Sequence, residues 1–212
     1  MSDQLLITLK QIDVAGSPVL WQQQGFQADA FERDWTVRSG DWRVLNGALV
    51  GSNPLPQPGC LVCRREFPGN VLLDFHAQTL APSTHDIDVM WNMTWDEAAD
   101  KRGAAYVAGI AGWWDKKVGF EKSPDYKLLC VAPCPWFEPA RPYHIQVGSV
   151  DGHCFLFVDG VLRLEMIDPD PIDSRKHVNL GFEAYQSMIR ITDLVVRQVK
   201  WSARPQSYVQ EF

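Results

Sequence analysis

The chain has 212 residues, and 20 Lys and Arg against 26 Asp and Glu give a formal net charge of −6. With 46% hydrophobic and 22% charged residues, the composition is that of a packed globular protein and excludes a disordered chain. The acidic balance, without any Lys/Arg run, removes the term that dominates nucleic-acid affinity, and no stretch reaches the roughly 18 apolar residues of a membrane-spanning helix.

Residues 1–20 lack the basic start, apolar block and small-residue cleavage site of a secretory signal, so a cytoplasmic protein is expected. The first sharp local signal is Asn46-Gly47, set between WRVL and ALVG. Asn-Gly accepts the positive φ values that a type I′ hairpin turn demands. Cys60 and Cys63 come next and, with Cys130 and Cys134, match the spacing of a four-thiolate zinc site. Residues 61–67, however, read as a strand, in which side chains three apart point to opposite faces. Buried, reduced thiols are therefore the expectation, with no metal on sulfur.

Residues 70–80 and 85–95 read as strands with alternating faces. Val71, Leu73, Phe75 and Ala77 oppose Asp74, His76 and Gln78; Ile87, Val89, Trp91 and Met93 oppose Asp86, Asp88, Met90 and Asn92. Residues 96–105, DEAADKRGAA, suggest a turn of helix, and 104–114 another strand. Pro and Gly punctuate the gaps, notably residues 54–59 and 132–142. Asp151-Gly152 and Asp159-Gly160 then mark a three-strand meander over residues 143–167. Residues 177–185 and 189–199 close the chain as strands, the first with Val178, Leu180, Phe182 and Ala184 opposing His177, Asn179, Gly181 and Glu183. Many short strands, each with one oily and one polar face, specify an all-β fold: a two-sheet antiparallel β-sandwich forming one domain over residues 1–212, its core at about 25–200.

Residues 31–52, FERDWTVRSGDWRVLNGALVGS, and the strand that begins GCLVCRREFPGNVLLDF resemble the start of concanavalin A-like jelly-roll domains of bacterial sugar metabolism. The closing YHIQVGSVDGHCFLFVDGVLRLEMID and HVNLGFEAYQSMIRITDLVV resemble their last strands. The layout is shared with keto-disaccharide hydrolase-like domains, and YVAGIAGWWDKKVGFEKSPDYKLL looks closer to the uncharacterised YesU-like family. The resemblance implies a saccharide or glycoside ligand; it carries no catalytic signature.

Nine Trp residues are more than one core readily hides. Trp95, Trp113 and Trp114 are candidate sugar-facing walls, since an indole covers the flat C–H face of a sugar ring while nearby polar groups bond its hydroxyls. Core packing is the plainer reading for Trp91. Among carboxylates, Asp88 and Glu183 are candidate acid/base partners, because glycosidic cleavage needs two carboxyls about 5–9.5 Å apart. Asp86 and Asp88 also suit Ca²⁺, which takes oxygen ligands, and a solvated sheet face is the bland alternative. His76 is a candidate auxiliary base, while Asn92, Glu121, Tyr126 and His144 are candidate sugar contacts, competing with ordinary surface roles. Hydrolysis, β-elimination and noncatalytic saccharide binding all follow from this set. A homo-oligomer or other protein interface built on the surplus indoles is a further expectation.

Overall fold

A computed structural model describes residues 3–112 and 116–205. In chain order the first elements are β1 (Gln4–Leu6), β2 (Lys10–Asp13), β3 (Val19–Gln23), the helix α1 (Ala28–Asp34), β4 (Trp35–Val37), β5 (Asp41–Leu45), β6 (Ala48–Asn53) and β7 (Gly59–Cys63). The middle contributes β8 (Val71–Thr79), β9 (Ile87–Met93), β10 (Trp95–Asp96), β11 (Lys101–Arg102), β12 (Ala105–Gly112), β13 (Lys117–Ser123) and β14 (Lys127–Pro133). The last are β15 (Tyr143–Val150), β16 (His153–Val158), β17 (Val161–Ile167), β18 (Asn179–Ala184), β19 (Ser187–Gln198) and β20 (Trp201–Ala203).

These strands build the expected antiparallel sandwich. The front sheet runs β14-β13-β12-β9-β18-β7-β4, and the back sheet β17-β16-β15-β8-β19-β6-β5, with β3 added alongside β19. All three dipeptide turns have positive φ at both residues, 49° and 71° at Asn46-Gly47, 51° and 78° at Asp151-Gly152, 53° and 75° at Asp159-Gly160. Each joins neighbouring antiparallel strands, β5 to β6, β15 to β16 and β16 to β17, so the meander lies where expected. Residues 96–105 differ: instead of a helical turn they form the β10–β11 hairpin, whose register sets Trp95 opposite Arg102.

The apolar sides of the two sheets meet in one core. Phe75 of the back sheet packs edge-on against Phe182 of the front at 5.3 Å, and Trp91 meets Phe120 edge-on at 5.9 Å. Trp91 is fully buried and its indole N–H donates to Ser149 Oγ at 3.1 Å, which settles this Trp as core. Cys63 belongs to this core, whereas Cys60 faces the other way, into a small apolar cluster with Val62, Met90 and Val107 on the outer side of the front sheet. The two thiols diverge as their spacing requires, and all five cysteines are free. Burial pushes the Cys60 and Cys63 thiols up to about 12.

A three-stranded ribbon, β1-β2-β20, covers part of the outer side of the back sheet. Leu5, Ile7, Ile12 and Val14 bury there against Leu72, Val150, Phe155 and Phe157. No helix among the described residues is long and apolar enough to cross a membrane.

Candidate functional site

A cavity of about 680 Å³ opens on the outer side of the front sheet, lined by Asp86, Asp88, Glu121, Tyr126, Glu183 and Tyr185 among others. Strand pairing assembles it. Glu183 on β18 stands directly opposite Asp88 on β9, with Cys60 beyond it on β7. On the other side Asp88 faces Gly109 of β12, which in turn faces Gly119 of β13. The row thus carries carboxyls at one end and bare backbone at the other, which leaves room above the sheet for a ligand. One step along, Val107 pairs with Glu121.

Asp86 enters just ahead of β9 at φ 71°. Its Oδ2 accepts the Tyr185 backbone N–H at 3.0 Å, and its Oδ1 sits 2.6 Å from where a Cβ on Gly112 would stand. A larger residue at 112 would displace that carboxyl. The β10–β11 hairpin supplies the counter-charge: Arg102 donates through Nη1 to Glu183 Oε2 and through Nη2 to Glu121 Oε1 at 3.3 Å. The ring of Tyr126, which is 56% exposed, lies 5.0 Å from the same guanidinium.

The two aspartates are electrostatically unlike an ordinary pair. Burial, then the charge of Glu183, pushes Asp86 up to about 7, although hydrogen bonds from Asp88 and Tyr185 pull the other way. Asp88 is raised well above the usual carboxylate range by burial, by Asp86 and by Glu183. The two carboxyls hydrogen-bond each other, so the proton affinity of each depends on the other. Asp88 Oδ1 has no partner, although the residue is only 5% exposed. Glu183 is different: its Oε2 is ion-paired with Arg102 and lies 3.8 Å from the Cys60 thiol.

Of the residues singled out in the sequence, Asp88, Glu183, Glu121 and Tyr126 share this cavity. His76 and His144 do not. Alternation places them on a polar face, but β8 and β15 belong to the back sheet, so that face points away from Asp88 and Glu183. There the two imidazoles stack at 5.0 Å, His144 Nε2 lies 2.7 Å from Asp74 Oδ1, and His76 Nδ1 is 3.8 Å from Asp193. The hydrogen bond to Asp74 raises the His144 pKa. The candidate roles of His76 as auxiliary base and His144 as sugar contact are therefore corrected: their strands share the alternating pattern of β9 and β18 but joined the opposite layer.

Asn92 is also corrected. It adopts φ 44°, and the β9–β18 register shifts between Asn179 and Gly181, so alternation slips at this point. Its side chain accepts from Ser149 Oγ at 2.8 Å and donates to the Gly69 carbonyl at 3.3 Å, while Met93 turns outward to the Met90 cluster. Trp95 lines a separate, smaller cavity of about 340 Å³, where Arg38 lies 5.0 Å from its ring and its N–H donates to Asp100 Oδ1 at 3.1 Å. Trp113 and Trp114 lie outside the described residues. Sequence reasoning missed Arg102 and Tyr185, and weighed Asp86 only as a metal ligand. Arg102 sits in the polar segment DKRG, where nothing marks it as the residue that turns inward.

Among the described residues no group of three or more His, Cys, Asp or Glu side chains is arranged to hold a metal ion. The carboxyls once matched to Ca²⁺, Asp86 and Asp88, are bonded to each other.

No family model matches the chain, and no curated protein matches it. Solved structures do. A Bacillus subtilis protein of unknown function with a galectin-like fold superposes with a TM-score of 0.70 at 14% identity, over 85% of this chain and 96% of that one. The carbohydrate-binding module CBM66 from Bacillus subtilis gives 0.61 at 12%, over 77% and 95%. An endo-β-1,3-glucanase from Pyrococcus furiosus gives 0.60 at 11%, over 94% and 99%. At these identities the likeness is one of fold, the galectin-like and concanavalin A-like jelly roll.

Proposed function

We propose that the cavity holds a saccharide and that the protein cleaves a glycosidic bond there by hydrolysis. Asp88 donates a proton to the leaving oxygen, and Glu183 acts as nucleophile or base. The observation that carries this reading is the cross-strand pair itself: two carboxyls in register, one buried beside another acid and raised well above the usual carboxylate range, the other paired with a guanidinium. Placing two carboxyls in unlike surroundings is how glycosidases divide acid and base work. The YesU-like and keto-disaccharide hydrolase-like resemblance supports a small saccharide or glycoside as substrate, as does the likeness to a carbohydrate-binding module and a glucanase. Hydrolysis fits better than β-elimination, because a uronate would enter a cavity already holding Asp86, Asp88, Glu121 and Glu183.

The test is turnover on a panel of plain and 3-keto glycosides. Glu183→Gln should lower kcat by at least about 100-fold with little change in KM, the scale of losing an acid/base group. Turnover equal to wild type removes Glu183 from the mechanism. A second reading is a noncatalytic saccharide-binding module, favoured by the hold of Arg102 on Glu183, which withdraws one carboxylate oxygen from reaction. It requires saturable sugar binding without turnover of any member of the panel.

A further inference from the structure

We infer that the cavity selects a saccharide bearing a protonated amine, an amino sugar with its nitrogen unacylated, whose ammonium docks beside Asp86 and Asp88. The inference rests on the reading of the cavity as a saccharide site and names the class of sugar it takes.

Four carboxyl groups line the cavity together with His85, and Arg102 is bonded to two of them, Glu183 and Glu121. Among the described residues no ion pair is formed at the Asp86–Asp88 end: Asp86 accepts a backbone N–H from Tyr185, and the remaining contact joins the two acids. Asp88 lines the cavity, and its buried Oδ1 accepts nothing. A buried carboxylate oxygen without a donor is costly, and a ligand that brings an N–H donor with positive charge removes that cost. A neutral hydroxyl supplies the hydrogen bond but not the charge; an N-acetyl group supplies one N–H and adds bulk; a uronate adds repulsion. The walls agree with a cation. Tyr126 already presents its ring to a guanidinium at 5.0 Å, and Tyr185 stands partly exposed at the cavity next to the N–H that holds Asp86.

The arrangement also connects to the chemistry. Asp86 and Asp88 hydrogen-bond each other, so a proton held by the pair can rest on either. An ammonium next to Asp86 favours its ionised form, so the proton sits on Asp88, the group that must donate it. A sugar with the right charge therefore sets the acid as it binds.

The experiment uses the full chain and a glycan array printed with matched saccharides that carry a free amine, an N-acetyl group or a hydroxyl at the same carbon, together with uronic acids. Calorimetry on the best-bound matched set follows. The free-amine members should bind at least about tenfold tighter than their N-acetyl and hydroxyl counterparts, a difference well within what one desolvated charge pair supplies. Asp86→Asn, nearly isosteric, should erase that preference while neutral binding persists, with circular dichroism confirming the fold; Gly112→Ala, whose Cβ displaces the Asp86 carboxyl, should weaken the preference in the same way and serves if Asp86→Asn does not fold. Equal binding of amine and neutral members, or preference for uronic acids, overturns the amine inference and leaves the saccharide reading standing. Binding of no saccharide of any class overturns both. Calcium chloride alone giving heat in the wild type that is lost in Asp86→Asn would reassign the cluster to a metal and overturn the inference.

Discussion

Asp86 and Asp88 are two residues apart on one strand, a spacing visible in the sequence, yet their character comes from what the fold buries around them. Both are raised in the folded chain, so the folded state holds protons that the unfolded chain has released. The Asp86 contribution to stability accordingly falls as pH climbs from the ordinary Asp value of 3.8 towards about 7, then levels off. Asp86→Asn should remove this penalty: little change in melting temperature at pH 4, and a gain of at least about 3 °C at pH 8, taking roughly 1.4 kcal/mol per pKa unit and about 2–4 °C per kcal/mol for a domain of this size. A variant whose offset from wild type is the same at both pH values would show that the pair is not desolvated. Alternation alone identified Asp88 and Glu183 as polar-face residues, because it needs only period two. It could not identify Arg102, whose inward turn depends on a hairpin folding over the sheet, or exclude His76, whose distance from the site depends on which layer its strand joins.

Among the elements, hairpins with Asn-Gly or Asp-Gly turns were the most legible, since their φ requirement is local and independent of tertiary structure. Strand β9 was legible up to Trp91 and misread beyond it. The positive φ at Asn92 and the register shift against β18 exchange the faces of Asn92 and Met93, and no local residue pattern announces that. The short helix α1 was not read and the β10–β11 hairpin was misread as a turn of helix, because neither shows a periodicity of its own and each is tied to distant chain, Asp34 to Arg65 and Arg102 to Glu183. The β5–β6 hairpin offers a direct check on how tightly paired strands fit. Gly51 lies opposite Trp42, and a Cβ there would stand 2.3 Å from the indole, which is itself buried. Gly51→Ala should therefore destabilise the protein by about 1–3 kcal/mol, read as a lower urea midpoint with unchanged slope. An unshifted midpoint would mean that the indole moves aside freely.

For the molecule as a whole, the back sheet is covered where the front sheet is open. The β1-β2-β20 ribbon and its Leu5, Ile7, Ile12 and Val14 side chains shield apolar groups of the back sheet, each worth about 1.5–3 kcal/mol when fully buried. Removing residues 1–14 should lower the melting temperature and raise binding of a hydrophobic dye, with sugar binding by the folded fraction retained. Full stability in the truncated chain would show the ribbon to be dispensable. None of this second layer was visible in the sequence, because residues 4–13 make only short strands whose partner, β20, lies nearly 190 positions away. The same pairing of the first strands with the last has a practical consequence. Both ends of the described chain leave from the back of the sandwich, so a support, label or fused domain joined at either end would hold the molecule by its closed side and present the acidic cavity outward.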